Sequence, residues 1–363
     1  MVSQLISELD VQVERLGTVL TPNGNAEQTL GVLNPACARS RDGTLLLYPR
    51  EVARGNISRI GIARSIGNEP PFEYIGHALE PQAPYELRRQ GGYGCEDPRA
   101  TFIKALDCYV MSYTAFGPDG PRIAVATSDD GFKWKRAGLL RFDRPGMHVG
   151  DDKDAAFFPE PVRSPQGVLS LAFYHRPMLH LSAVDGRAAV PLIEKMPFED
   201  RECIRMGYIP FEPLLEDRAK LTDVAESVLV MAPDSQWGSL KLGCGTPPVR
   251  IAEGWMSLFH AVDVVSARVE PHFRYSAGIM IHDLANPQII RYRSPEPVLM
   301  PQTTAERRGV VANVVFPTGI DPRPDLGERT FDIYYGMADF QIGRVRLTLG
   351  ASRESREPAE SAA

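Results

Sequence analysis

The chain has 363 residues, of which 43% are hydrophobic and 24% charged, with a formal net charge of −6; this is ordinary for a globular protein with a real core. No basic stripe stands out and the mild acidity repels phosphate backbones, so nucleic acid is not an expected partner, and no apolar run approaches the ~18 residues a bilayer span requires. The five cysteines (Cys37, Cys95, Cys108, Cys203, Cys244) are odd in number and form no CxxC pair, which argues against a disulfide framework and against a zinc site.

The first residues carry acidic side chains within an apolar stretch and fit neither a signal nor a transit peptide, so a cytoplasmic location is expected. They are expected to form a short helical segment at the start of a single domain comprising residues 1–350. Residues 351–363 lack an apolar pattern and are expected to be a flexible tail.

Between these ends, 31 glycines and 31 prolines break the chain into short segments. Strand-like runs fall at residues 45–48, 109–113, 168–174, 255–259 and 331–335, each preceded by a turn or polar step such as Asp42-Gly43 or Glu253-Gly254. Each also follows a polar opening of another apolar stretch: Asn34, Glu96-Asp97, Lys153-Asp154, Gly245-Thr246 and Asn313. Further strands follow at 59–65, 122–128 and 275–282, the first two being near copies (RIGIARS and RIAVATS).

The period is close to sixty residues, stretched by an apparent insertion at 191–236. Five four-stranded modules predict an all-β, five-bladed β-propeller, with a β-sandwich as the other reading. In a propeller the polar openings of the inner strands collect around one central channel.

Glu96-Asp97-Pro98-Arg99 is the most suggestive tetrapeptide. Adjacent carboxylates on a strand face opposite ways, so one of them can enter the channel while Arg99 holds the other; a turn with a local salt bridge is the plainer reading. Lys153-Asp154 and His175-Arg176 gather cations in one module, which suits an oxyanion, although each is singly consistent with a solvated surface charge. Asn34 and Asp339 belong to the first and last modules and suit sugar hydroxyls or local turn capping.

These residues resemble glycoside hydrolase family 130. The resemblance rests on Glu96-Asp97-Pro98-Arg99, the KDAAFFPE run from Lys153 to Glu160, and the run from Trp237 to Pro248. It extends through Gly254-Trp255, the segment from Asn313 to Gly319 and that from Tyr334 to Asp339, and spans nearly the whole chain. The family is dominated by inverting phosphorylases of β-mannosides, with a hydrolase branch, on a five-bladed propeller.

The resemblance implies Asp97 as catalytic acid, passing its proton through a sugar hydroxyl. It implies Asn34, Arg59, Glu306 and Asp339 around the sugar, and Lys153, His175 and Arg176, with Arg122 as a weaker candidate, around phosphate. Two departures from the family stand out: Asp151-Asp152 before Lys153, and Thr303 to Glu306 where a tyrosine usually precedes the glutamate.

The expected reaction is therefore phosphorolysis of a β-mannoside to α-mannose 1-phosphate. It needs no cofactor and no metal, only inorganic phosphate as co-substrate. An inverting hydrolase using Glu160 or Glu306 as base is the alternative, and a non-catalytic glycan- or protein-binding propeller the third reading. A proton donor also implies an Asp97 pKa raised toward neutrality. The expected partner is a small-molecule oligosaccharide, with a homo-oligomer left open.

Overall fold

The computed structural model describes residues 5–67, 69–142, 150–179, 189–266 and 272–355, and the fold is all-β, with only short helical turns. The strands hydrogen-bond as five antiparallel runs of four. Sheet 1 comprises Gly31–Arg39, Leu45–Ala53, Ile57–Ile66 and Glu69–Leu79. Sheet 2 comprises Tyr93–Ile103, Cys108–Gly117, Gly120–Ser128 and Lys135–Leu139. Sheet 3 comprises Asp152–Phe157, Leu169–Pro177, Ile204–Pro210 and Glu226–Met231. Sheet 4 comprises Lys241–Cys244, Gly254–Ser266, His272–His282 and Ile290–Arg293. Sheet 5 comprises Val315–Pro322, Thr330–Met337, Gln341–Ser355 and, from the other end of the chain, Leu5–Leu20.

The second strand of each sheet shows why the sheets stack. Successive side chains leave opposite faces, and here both faces are apolar. Leu45 and Leu47 pack with Val32 of their own sheet and with Tyr334 and Ile342 of sheet 5, whereas Leu46 and Tyr48 pack with Met111 and Tyr113 of sheet 2. In the same way Val110 joins Phe157 and Phe173, Tyr174 joins Phe259, and Leu258 joins Ile333 and Tyr335. Five apolar layers thus link the sheets in chain order, and the last layer joins sheet 5 to sheet 1. At about 25 cal/mol per Å² of buried apolar surface, these layers dominate the stability of the fold.

Two expectations are corrected. The N-terminal segment is a strand, not a helix: Leu5–Leu20 pairs antiparallel with Gln341–Ser355 as the outer strand of sheet 5. Its register shifts between Ile6 and Glu8, Leu9 and Val11, Arg15 and Gly17, and Thr18 and Leu20. Each bulge adds a residue and breaks the two-residue alternation, so buried Ile6 and Leu9 fall three apart and mimic a helical face. The strand Gln341–Ser355 also carries regular structure into residues 351–355 of the expected tail; residues 356–363 lie outside the described residues.

The segment 191–236 is not wholly an insertion either. It contains both outer strands of sheet 3, and the extra length is the connection that precedes Ile204–Pro210. The prediction missed those strands because Ile204–Pro210 carries two glycine or proline interruptions and Glu226–Met231 is mostly half-exposed.

Candidate active site

The first strands of four sheets share one irregularity near the same end. Pairing is interrupted between Leu33 and Ala36, Glu96 and Arg99, Lys153 and Ala156, and Pro317 and Gly319. In sheets 1 to 3 the bulge holds a left-handed residue: Asn34 (φ 42°), Asp97 (φ 46°) and Asp154 (φ 59°). Asn and Asp enter this region at lower cost than other residues with a Cβ, and bulges re-aim side chains. The opposite ends of the first strands line a separate cavity of about 730 Å³ that includes Arg39, Thr101, Pro159, Pro248 and Asp321.

Asp97 is 8% exposed. Its Oδ1 accepts hydrogen bonds from Asn34 Nδ2 at 2.9 Å and from Arg50 Nη1 at 3.1 Å. Arg50 also donates through Nη2 to Glu96 Oε1 at 2.9 Å and through Nε to Ser58 Oγ at 3.0 Å. Lys153 Nζ stands 3.5 Å from Glu96 Oε2 and 5.9 Å from the centre of the Phe116 ring. One guanidinium thus bridges both carboxylates of the pair.

The electrostatics overturn one expectation. Burial by itself would raise the Asp97 carboxyl, but Arg50, Lys153 and Arg99, with the Asn34 hydrogen bond, outweigh it and hold the group below its ordinary value. Asp339 behaves in the opposite way. Burial pushes its carboxyl up to about 6; Arg50 and Lys153 pull it down, while Asp97 and Glu96 reinforce the rise. Like Asp97 it is left-handed, at φ 51°.

A second charged cluster lies between sheets 3 and 4. Arg176 donates through Nε to Asp154 Oδ2 at 2.6 Å and is ion-paired with Glu202. His260 Nε2 is 3.5 Å from the same Asp154 oxygen. Burial drives the His260 pKa down to about 3, so the ring is neutral at physiological pH. The Lys241 ammonium sits 5.6 Å from the Tyr275 ring centre, and among the described residues no carboxylate comes within 4.0 Å of it. Glu202, Lys241 and Tyr275 line a cavity of about 280 Å³ whose other walls include Met178, Leu179, Leu240 and Phe273.

The structure therefore brings together Asn34, Asp97, Lys153 and Asp339, sets Arg176 opposite Lys153 on the next strand of sheet 3, and engages Glu306 and His175 elsewhere. Glu306 is fully buried as the third residue of the short helix Thr304–Arg307. It accepts from Arg15, from Tyr335 Oη at 2.9 Å and from the backbone N–H groups of Gln302 and Thr303. A carboxylate so occupied is a structural hub, not a sugar ligand. His175 is buried with Nδ1 on Asp152 Oδ2 (2.7 Å) and Nε2 on Ser227 Oγ (2.8 Å), leaving neither nitrogen for an anion.

Arg59, in the third strand of sheet 1, stands 3.5 Å from Glu80, and its Nη1 is buried without a hydrogen-bond partner. Arg122 is half-buried opposite Ala115, and among the described residues no hydrogen bond joins it to Asp97 or Lys153.

Sequence reasoning missed Arg50, Lys241 and Tyr275. Arg50 follows a proline near the end of an apolar strand, where a polar residue reads as surface. Lys241 is the only charged residue of the Trp237 to Pro248 run, and that was the available signal.

Comparisons with known proteins identify the family. A profile of the family described as beta-1,4-mannooligosaccharide phosphorylase matches residues 10–191 and 208–350. The chain belongs to glycoside hydrolase family 130. Among relatives in family 130, a 1,2-beta-oligomannan phosphorylase of a Thermoanaerobacter species is 28% identical over 296 residues, 81% of this chain and 79% of that protein. A beta-1,4-mannooligosaccharide phosphorylase of Ruminococcus albus is 38% identical over 144 residues, 39% of this chain and 41% of that one. The solved structure of the Listeria innocua beta-1,2-mannobiose phosphorylase, in complex with beta-1,2-mannobiose, superposes with a TM-score of 0.67. The match has 20% identity and covers 93% of this chain and 97% of that one, a likeness of fold.

Proposed function

We propose that the five sheets are the blades of a five-bladed β-propeller and that the protein is an inverting β-mannoside phosphorylase whose acid is Asp97. The closing apolar layer between sheets 5 and 1 supports the blade count, because a ring needs its last blade to pack on its first. The chemical reading is carried by the set around Asp97: one carboxyl oxygen held by Asn34 and Arg50, with Lys153 beside it. The β-mannoside class comes from the family and its named relatives.

In the reaction, phosphate attacks the anomeric carbon from the face opposite the leaving sugar. The glycosidic C–O bond breaks, a C–O bond to phosphate forms with inversion, and the proton of Asp97 passes to the leaving oxygen. Phosphate is already an anionic nucleophile, so no second carboxylate is needed. The two carboxylates a hydrolase would draw on are engaged elsewhere. Glu306 is buried in its helix, and Glu160 is exposed beside Arg250 beyond the far end of its strand.

The lowered Asp97 pKa fits this scheme once phosphate is counted. An anion bound against Lys153 and the Lys241–Arg176 cluster offsets the cations that deprotonate Asp97, and its arrival raises the proton affinity of the acid. We assign phosphate to Lys153, Lys241 and Arg176, and the sugar to Asn34, Asp339 and the unpartnered Nη1 of Arg59. The decisive experiment follows β-1,2- and β-1,4-mannobiose with and without inorganic phosphate. Phosphate-dependent release of mannose 1-phosphate is expected; free mannose released at full rate without phosphate would move the protein to the hydrolase branch.

A further inference from the structure

Arg99 is 1% exposed and spreads its guanidinium over four acceptors from three sheets. Nη1 donates to the carbonyl of Asp97 at 3.0 Å, and Nε to the carbonyl of Gly245 at 3.0 Å. Nη2 donates to the carbonyl of Cys244 at 2.9 Å and to Asp154 Oδ1 at 3.3 Å. Asp154 is the only one of these acceptors that carries charge. Its second oxygen is taken by Arg176. Asp97 itself occupies a left-handed conformation that any residue with a Cβ holds only under constraint, and the Arg99 bond falls on its own carbonyl.

We propose that Asp154 is a positioning residue for the acid: it anchors the Arg99 fork that fixes the backbone of Asp97, and ties that backbone to Arg176 in the cationic pocket. The role rests on reading Asp97 as the acid. Asp154 does not touch the reacting atoms. It neutralises the two guanidiniums and sets where Arg99 can point, so the carboxyl of Asp97 is aimed by a carboxylate one sheet away. Burial would raise the Asp154 carboxyl, yet the guanidiniums of Arg176 and Arg99 hold it far below its ordinary value, so it stays charged throughout the working pH range.

Asp154→Asn keeps size and tolerance of the left-handed conformation but removes the charge. The expected result is a fall in kcat of about 10–100-fold, the loss that follows when a reacting group is misplaced, with little change in the KM for the mannoside. The high-pH limb of the kcat profile should also move to lower pH, because Arg99 and Arg176, no longer neutralised, press harder on the Asp97 carboxyl. A merely structural Asp154 would lower thermal stability and leave both kcat and the pH profile of the folded protein unchanged, which would overturn the proposal.

Should Asp154→Asn fail to fold, Arg99→Lys supplies the same test. It keeps the charge, but one ammonium cannot span four acceptors, so kcat must fall; wild-type kcat would overturn the role. Asp97→Asn separates the two layers of the argument. Full turnover by Asp97→Asn removes the acid and the positioning role together. An inactive Asp97→Asn beside an Asp154→Asn or Arg99→Lys of wild-type kcat removes only the positioning role.

Discussion

Asp97 and Asp154 sit on the same device in neighbouring sheets: a bulge in the first strand, a left-handed aspartate and a neighbour of opposite consequence, Glu96 before one and Lys153 before the other. Their surroundings differ. Asp97 has side-chain bonds on Oδ1 from Asn34 and Arg50, and its pKa is lowered against burial by Arg50 and, beyond it, by Lys153 and Arg99. Asp154 has an arginine on each oxygen and is locked in its charged form. With Asp97 as the proposed acid, one backbone feature presents a carboxylate for chemistry in sheet 2 and for architecture in sheet 3. The difference lies in whether the donors share one carboxyl oxygen or cover both, not in the strand that carries the residue.

The largest effect that would break this comparison is at Asp97. Asp97→Asn preserves shape and hydrogen bonding to Arg50 but has no transferable proton. Turnover should fall by roughly 10²–10⁴-fold with the thermal unfolding midpoint nearly unchanged. Steady-state rates on purified protein together with a melting curve check it. A loss of fold in place of a loss of rate would make Asp97 the structural member of the pair.

The contrast also explains what the sequence could and could not reveal. The sheets were legible because their second strands bury both faces, so runs such as LLLY at 45–48 are apolar at every position. Asp97 was legible because Pro98 and Arg99 flank it. The N-terminal strand was hidden by its four register shifts, and Arg50 by a role that exists only when sheet 1 is folded against sheet 2. His175 and Glu306 misled for the converse reason. Their chemistry suits a site, but Asp152, Ser227, Arg15 and Tyr335, none of them near in sequence, had already taken their bonding capacity.

The next effect in size sharpens the cation assignment. Lys241→Ala should raise the apparent KM for phosphate by ~10- to 150-fold, the equivalent of losing one charge-assisted hydrogen bond of about 1.5–3 kcal/mol, while the KM for the mannoside moves far less. Initial rates over a phosphate series at saturating sugar read it directly; equal losses in both constants would take Lys241 out of the phosphate site. Arg50→Gln comes after it. Removing the largest cationic influence on Asp97 should move the pH profile for turnover upward by about one unit, since an adjacent arginine commonly depresses a carboxyl by 1–3 units. An unmoved profile would mean that Lys153 and Arg99 set the acid.

The smallest effect is expected at Asp339, whose carboxyl is shifted up from an ordinary 3.8 to about 6 by burial and, secondarily, by Asp97 and Glu96 acting against Arg50 and Lys153. A carboxyl that holds its proton more tightly in the folded chain than in the unfolded one favours folding below its unfolded pKa. That contribution is lost as pH rises through the folded value, here between 3.8 and about 6. Asn at this position is uncharged at every pH and tolerates the φ of 51°. Asp339→Asn should therefore flatten the stability curve across that window and leave the protein at least as stable as wild type at neutral pH, even as mannoside binding weakens. Urea midpoints measured at several pH values decide it. A wild-type slope retained by Asp339→Asn would show that the carboxyl titrates as a solvated one, and that its place beside Asp97 costs the fold nothing.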